Sequence, residues 1–138
     1  MNDEARAPAI QPIRTGDFHL FVYGTLRRGH AAHERIADCD FVGLAHVSGT
    51  LYDIDGLHPA LMLYGNTRVA GEIFRCPADR LDRLDTFEGV GDGLFRRVAT
   101  EIDELPCWIY VAGPALAHRL TPGQRIASGQ WTGAGSDG

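Results

Sequence analysis

One stretch decides the fold: residues 18–29 have the sequence FHLFVYGTLRRG. Its first five residues are mostly large and apolar, which is typical of a β-strand. The run then meets Gly24, where the backbone lacks a Cβ and can turn tightly or be approached closely. The stretch therefore predicts a strand that leads into a tight loop, whose main-chain N–H groups could bind oxygen atoms of a ligand. An ordinary strand followed by a turn would show the same pattern.

Length and composition predict one small domain. The chain has 138 residues, enough to bury one core. A net charge of −5 leaves no basic surface of the kind that binds nucleic acid. We expect a flexible N-terminal arm over residues 1–16, a single domain over residues 17–131, and a flexible tail rich in glycine over residues 132–138.

Several classes of chemistry are disfavoured by what the chain lacks. All 13 basic residues are arginine, which excludes a Schiff-base lysine and the lysine of a phosphate-binding loop. His30 and His33 lack a third ligand at a typical metal spacing, so we expect no metal and no cofactor. Cys39, Cys76 and Cys107 form no CxxC pair and predict buried, reduced thiols in a cytoplasmic protein. No apolar run is long enough for a membrane span.

The remaining pattern is dominated by strands. A short helix is predicted over residues 30–37, and most strands are joined by turns rather than helices. This combination predicts an α+β fold, a small mixed or antiparallel β-barrel with a few flanking helices. The further strands are predicted at residues 41–47, 50–54, 68–75, 95–102 and 107–111.

A second informative stretch predicts a helix from Pro77 to Glu88. Proline suits a first helical turn, and Gly89 suits the position after the helix end. Leu81, Leu84 and Glu88 are spaced i, i+3 and i+7, so one face buries two leucines and also carries a carboxylate. Burial raises the pKa of a carboxyl group, which is the adjustment that a general base near neutral pH requires.

Other interpretations of this carboxylate remain open at the level of sequence. The helix could fray and leave Glu88 in solvent, or Glu88 could form a buried ion pair with Arg96 or Arg97. Glu72 lies within a predicted strand and is a second candidate for acid–base work, although strand alternation could equally point it outward.

Taken together, several blocks resemble the γ-glutamylcyclotransferase-like (AIG2-like) family. They occur in the family's order, they cover nearly the whole predicted domain, and the YGTL loop with the later LDxxEG helix end is the most specific combination. The blocks are residues 22–29 (VYGTLRRG), 47–53 (VSGTLYD), 59–61 (PAL), 69–74 (VAGEIF), 84–89 (LDTFEG), 95–97 (FRR), 108–110 (WIY) and 128–131 (SGQW).

The resemblance implies the barrel fold, a small-molecule γ-glutamyl substrate and a cavity between the first loop and the helix. It implies that the backbone of Tyr23, Gly24, Thr25 and Leu26 holds the γ-glutamyl or 5-oxoproline group and that Glu88 is the catalytic acid. One position departs from the pattern, because a phenylalanine at residue 95 stands where members often have tyrosine.

The implied reaction needs no protein nucleophile, because the α-amine of the substrate attacks its own side-chain amide. A base such as Glu88 and N–H donors for the oxyanion would suffice. The alternative is a non-catalytic module that binds a small molecule in the same cavity. Glutathione, a γ-glutamyl amino acid, γ-glutamyl-lysine and a γ-glutamyl-protected metabolite all remain candidate substrates. The oligomeric state and the participation of Arg28, Glu72 or Tyr110 also stay open.

Overall fold

The structure is a computed structural model that describes residues 16–133. Most of the predicted arm and the end of the predicted tail lie outside the described residues. The described part forms a five-stranded mixed sheet with the strand order β2-β3-β1-β5-β4. The strands are β1 Phe18–Val22, β2 Asp40–Ile54, β3 His58–Cys76, β4 Phe95–Ile102 and β5 Leu105–Ala112.

The first strand lies at the centre of this sheet, as its apolar sequence requires. β1 is antiparallel to β3 and parallel to β5. Leu20 and Val22 pack on one face of the sheet, and Phe21 on the other. A strand that is buried on both faces needs a continuous apolar run rather than an alternating one, and residues 18–22 supply it.

The two predicted strands at residues 41–47 and 50–54 are one strand, β2. It pairs with β3 along its whole length, and the register shifts between Gly49 and Thr50. An irregularity of this kind bends a strand without ending it, because pairing resumes on the far side. The shift leaves residues 63–66 of β3 without a partner in the register, while β2 continues through Ser48 and Gly49 without a turn.

The sheet is not a closed barrel, which corrects that part of the prediction. β2 and β4 are its edges, and no ladder joins them within residues 16–133. The segment at residues 126–131 packs instead onto the face of the sheet that carries Phe21. The N–H of Ile126 donates to the carbonyl of Leu51 at 2.8 Å, and Trp131 joins the core on this face.

Helical structure is sparse among the described residues. The predicted helix at residues 30–37 is a single 3-10 turn. The predicted helix from Pro77 begins with a 3-10 turn and continues as an α-helix. None of the helices in residues 16–133 has the length and apolar character to span a bilayer. The α-helices are α1 Leu81–Phe87 and α2 Pro114–Ala117, and the 3-10 turns are His33–Arg35, Ala78–Arg80, Val90–Asp92 and Pro122–Gln124.

Candidate active site

A cavity of about 580 Å³ lies between the loop after β1, the end of α1 and the start of β3. β5 and the segment around α2 complete its wall. All five predicted site residues line it, namely Tyr23, Gly24, Thr25, Leu26 and Glu88. The fold therefore brings the loop at residues 23–26 and Glu88, which lie more than sixty residues apart in the chain, around one space.

Glu88 lies at the C-terminal end of α1. Its backbone N–H donates to the carbonyl of Leu84 at 2.9 Å, and Gly89 follows with a positive φ of 70° that ends the helix. Leu84 is buried on the same face, so the helix directs the carboxylate inward as the spacing predicts. The helix does not fray before this residue.

The Glu88 carboxyl group is enclosed but faces the cavity. Burial raises its pKa to about 7, and the positive charge of Arg35 acts in the opposite direction. Within residues 16–133 no hydrogen bond or ion pair engages this carboxylate. The alternative in which Glu88 pairs with Arg97 is not found, because Arg97 binds Asp85 instead.

The loop after β1 keeps its carbonyl groups occupied and leaves its amides free. Within residues 16–133, the backbone N–H groups of Gly24, Thr25 and Leu26 donate no hydrogen bond. Such consecutive free N–H groups favour an anion or a developing oxyanion. The three carbonyls accept as follows: Gly24 from Arg27 N at 3.0 Å, Thr25 from Ala32 N at 2.9 Å, and Leu26 from His33 Nδ1 at 2.8 Å.

Glu72 anchors this loop from outside the cavity. Its carboxylate accepts the backbone N–H of Arg28 at 2.9 Å and contacts the Arg28 guanidinium at 3.4 Å. The same guanidinium lies 3.7 Å from the centre of the Phe41 ring. Neither Glu72 nor Arg28 lines the cavity. The structure thus gives Glu72 a contact that positions the loop from outside the cavity.

A buried arginine ties the loop to the C-terminal segment. Arg27 Nε donates to the Gly24 carbonyl at 3.1 Å, and its Nη2 donates to the Trp131 carbonyl. Trp131 in turn donates its indole N–H to Asp53 at 2.7 Å. Sequence reasoning missed Arg27, since nothing in its local pattern separates it from an exposed arginine.

Tyr23 fixes the start of the loop through its side chain. Its hydroxyl donates to the Tyr110 carbonyl at 2.6 Å and accepts the backbone N–H of Leu61 at 3.2 Å. Burial and the charge of Glu88 raise the pKa of Tyr23, so the phenol stays protonated and keeps donating. The side chain of Tyr23 therefore links the end of β1 to β3 and β5.

A second hydrogen-bond network, which the sequence did not predict, supports the cavity wall beside Glu88. The Tyr110 hydroxyl donates to Asp85 Oδ1 at 2.6 Å, and Arg97 binds both Asp85 oxygens at 2.8 and 3.0 Å. Burial opposes ionisation of Asp85, but the hydrogen bonds from Arg97 and Tyr110 lower its pKa overall. Burial and the Asp85 hydrogen bond raise the pKa of Tyr110, which lines the cavity in its protonated form.

His30, His33 and the three cysteines do not line the cavity, whereas His58 at the start of β3 does. His33 binds the loop, whereas the His30 ring lies 5.7 Å from that of Trp131. Cys39, Cys76 and Cys107 are free and buried. Within the described part of the chain, no three metal-ligating side chains converge.

Comparison with known proteins identifies two relatives by sequence. Over 92 residues the chain is 36% identical to γ-L-glutamyl-butirosin B γ-glutamyl cyclotransferase from Niallia circulans, which covers 62% of this chain and 58% of the relative. The chain thus spans less than two thirds of that protein. Over 114 residues it is 33% identical to a putative γ-glutamylcyclotransferase from Vibrio cholerae, covering 81% of this chain and 93% of the relative.

Solved structures agree on the fold. An AIG2-like protein from Mus musculus superimposes with a TM-score of 0.63 at 24% identity, covering 80% of this chain and 88% of the mouse chain. The family model described as γ-glutamyl cyclotransferase, AIG2-like, matches residues 20–133, which are nearly all of the described residues and include the loop and the helix end. The chain belongs to the γ-glutamyl cyclotransferase, AIG2-like family.

Proposed function

We propose that this protein is a γ-glutamyl cyclotransferase, which converts a γ-glutamyl amine or amide into 5-oxoproline and a free amine. The observation that carries the proposal is the placement of an unpaired carboxylate, Glu88, in the same cavity as a loop with free N–H groups. The names of the relatives in Niallia circulans and Vibrio cholerae support the same reaction.

The reaction is an intramolecular amide exchange. The α-amine of the substrate forms a bond to the γ-carbonyl carbon, and the bond from that carbon to the leaving amine breaks. The α-nitrogen loses two protons between its ammonium form and the lactam N–H, and the leaving nitrogen gains two as it departs as an ammonium ion. Glu88 is the group proposed to take and return a proton, because its pKa of about 7 leaves both forms populated near neutral pH.

The loop is proposed to bind the γ-glutamyl group and its oxyanion. The tetrahedral intermediate carries negative charge on the former carbonyl oxygen, and preorganised N–H donors stabilise it. Gly24, Thr25 and Leu26 offer such donors on a loop fixed by Glu72, Arg27 and Tyr23. A loop held at several points keeps its geometry during the reaction, which is what preorganisation requires.

Incubating the protein with a panel of γ-glutamyl compounds tests the proposal. The panel holds glutathione, γ-glutamyl amino acids, γ-glutamyl-ε-lysine and simple γ-glutamyl alkylamides. We expect 5-oxoproline to be released from at least one compound in step with its free amine. Compounds that bind, as judged by calorimetry, but are never cyclised would contradict the proposal and favour a binding module.

The pH dependence gives a second test. Since the base must be ionised in the free enzyme, we expect kcat/KM to rise with pH along an acidic limb centred near pH 7. The limb is measured from initial rates of 5-oxoproline release between about pH 3.5 and about pH 9. A limb centred near 4.5, the ordinary value for a glutamate, would show that the enclosed carboxyl group is not the base.

A further inference from the structure

The cavity contains an arginine that the proposed reaction does not use. Arg119 follows α2 and lines the cavity wall together with Leu116. Its guanidinium has no hydrogen-bond or ion-pair partner within residues 16–133, and the residue is exposed. An unpaired guanidinium beside a ligand space is suited to binding a carboxylate through two parallel hydrogen bonds.

The other charged groups of the cavity lie on a different element. Arg35 and Glu34 belong to the 3-10 turn His33–Arg35. Arg35 stacks 3.9 Å from the centre of the Phe87 ring, and its charge acts on the pKa of Glu88. Arg35 therefore belongs to the end of the cavity where the proton transfer is proposed, and Glu34 places an opposite charge on the same turn. Arg119 is not compensated in this way.

Apolar side chains line the same cavity as Arg119. Leu57 and Leu94 line the cavity with 67% and 38% of their surfaces exposed. Leu116 packs with Ile54 beneath the turn that carries Leu57. A ligand that covers these leucines removes apolar surface from water, which favours an apolar leaving group.

This wall is held in place relative to Glu88. The loop that follows Glu88 binds the start of α2, because the N–H of Gly113 donates to the Leu94 carbonyl at 2.7 Å and that of Ala115 to the Gly93 carbonyl at 2.9 Å. Main-chain hydrogen bonds thereby hold the segment that leads to Arg119 against the loop that follows Glu88. A base and an anchor on segments joined in this way can select substrates by length.

We propose that Arg119 determines specificity by binding a carboxylate on the leaving amine, so that the preferred substrates are γ-glutamyl derivatives of apolar α-amino acids. The inference rests on the proposed function. In such a substrate the leaving nitrogen is an α-nitrogen with a carboxylate one carbon away, and the apolar side chain meets Leu57 and Leu94. An amine with several positive charges would be repelled by the same arginine.

A matched substrate pair tests the role of Arg119. γ-Glutamyl-leucine and γ-glutamyl-leucinamide differ only in a carboxylate and a carboxamide. We expect the wild-type protein to prefer the acid in kcat/KM by about 10- to 100-fold, mainly through KM. Arg119→Met should bring this ratio close to one, and Arg119→Lys should restore part of it. Arg96→Met is the control, because Arg96 is exposed on β4 and does not line the cavity.

The other possible outcomes separate the specificity role of Arg119 from the cyclotransferase reaction. Equal losses with both substrates in Arg119→Met, or a wild-type ratio near one, would overturn the specificity role and leave the cyclotransferase proposal standing. If neither substrate is cyclised although another compound of the panel is, the specificity role alone fails. If no compound of the panel is cyclised, the proposed reaction fails, and calorimetry with the same pair decides on the carboxylate site separately. Tighter binding of the acid that depends on Arg119 would support the carboxylate site, and its absence would overturn it.

Discussion

Glu88→Gln should lower kcat for 5-oxoproline release by about 10²- to 10⁴-fold, with a much smaller change in KM. This is the range over which a positioned acid–base group contributes to catalysis. Glutamine keeps the size and hydrogen-bonding capacity of the side chain but cannot accept and return a proton at neutral pH. The measurement is the steady-state rate with the best substrate of the panel, from pH 6 to pH 8. Undiminished turnover in Glu88→Gln would remove Glu88 from the mechanism.

The stability of the same variant separates lost chemistry from lost folding. A carboxyl group whose pKa is raised in the folded state holds its proton there between about pH 4.5 and pH 7, while the unfolded chain has released it. The native protein therefore loses stability as the pH rises through this window. We expect Glu88→Gln to be more stable than wild type at pH 8, by on the order of 2 kcal/mol, with little difference at pH 4.

Urea denaturation at the two pH values measures this difference. Glu101→Gln, which alters an exposed carboxylate on β4 outside the cavity, is the matched control and should change neither turnover nor stability appreciably. A glutamine variant that is inactive and also less stable at pH 8 would point to a packing role for the side chain.

Gly24→Ala should lower kcat/KM by about 100-fold or more and destabilise the protein by roughly 1–3 kcal/mol. A Cβ on Gly24 would lie 2.5 Å from Pro59 Cγ and 2.6 Å from its Cδ, well inside van der Waals contact. Gly24 has no positive φ, so space and not backbone conformation requires the glycine. Since Pro59 is buried within β3, the loop must move, and its N–H donors move with it.

Gly91→Ala is the control for this effect. Gly91 lies in the 3-10 turn Val90–Asp92, its φ is not positive, and a Cβ there would meet nothing within 4 Å. The two variants are compared by thermal unfolding and by kcat/KM with the same substrate. Normal kinetics in Gly24→Ala would show that the loop geometry after β1 does not limit the reaction.

The parts of the site that the sequence predicts are those determined by local pattern. The strand at residues 18–22, the glycine after it and the helix end at Glu88 follow from apolar runs and from helical spacing within a dozen residues. Leu84 and Glu88 share a helical face for geometric reasons that need no tertiary information. The α+β class follows in the same way, because strands and turns are also local signals.

The remaining parts depend on contacts between distant residues. Asp85 binds Arg97 and Tyr110 only because β4 and β5 lie beside α1. A pair of Arg97 with Glu88 would also join one positive and one negative charge, so charge alone does not distinguish the two pairings. Arg119 comes near Glu88 only through the contact of α2 with the loop after the helix. Whether β2 and β4 meet to close a barrel depends on the accumulated twist of all five strands, which no single segment encodes.

The bond from Arg27 to Trp131 links the order of synthesis to the completion of the site. The loop after β1 is translated about a hundred codons before Trp131, whose carbonyl is the acceptor for the buried Arg27 guanidinium. A nascent chain that stops short of Trp131 leaves that charge buried without its partner, which is costly. The loop can therefore reach its final geometry only after release of the C-terminal segment, and a chain truncated before residue 131 should be both inactive and prone to proteolysis.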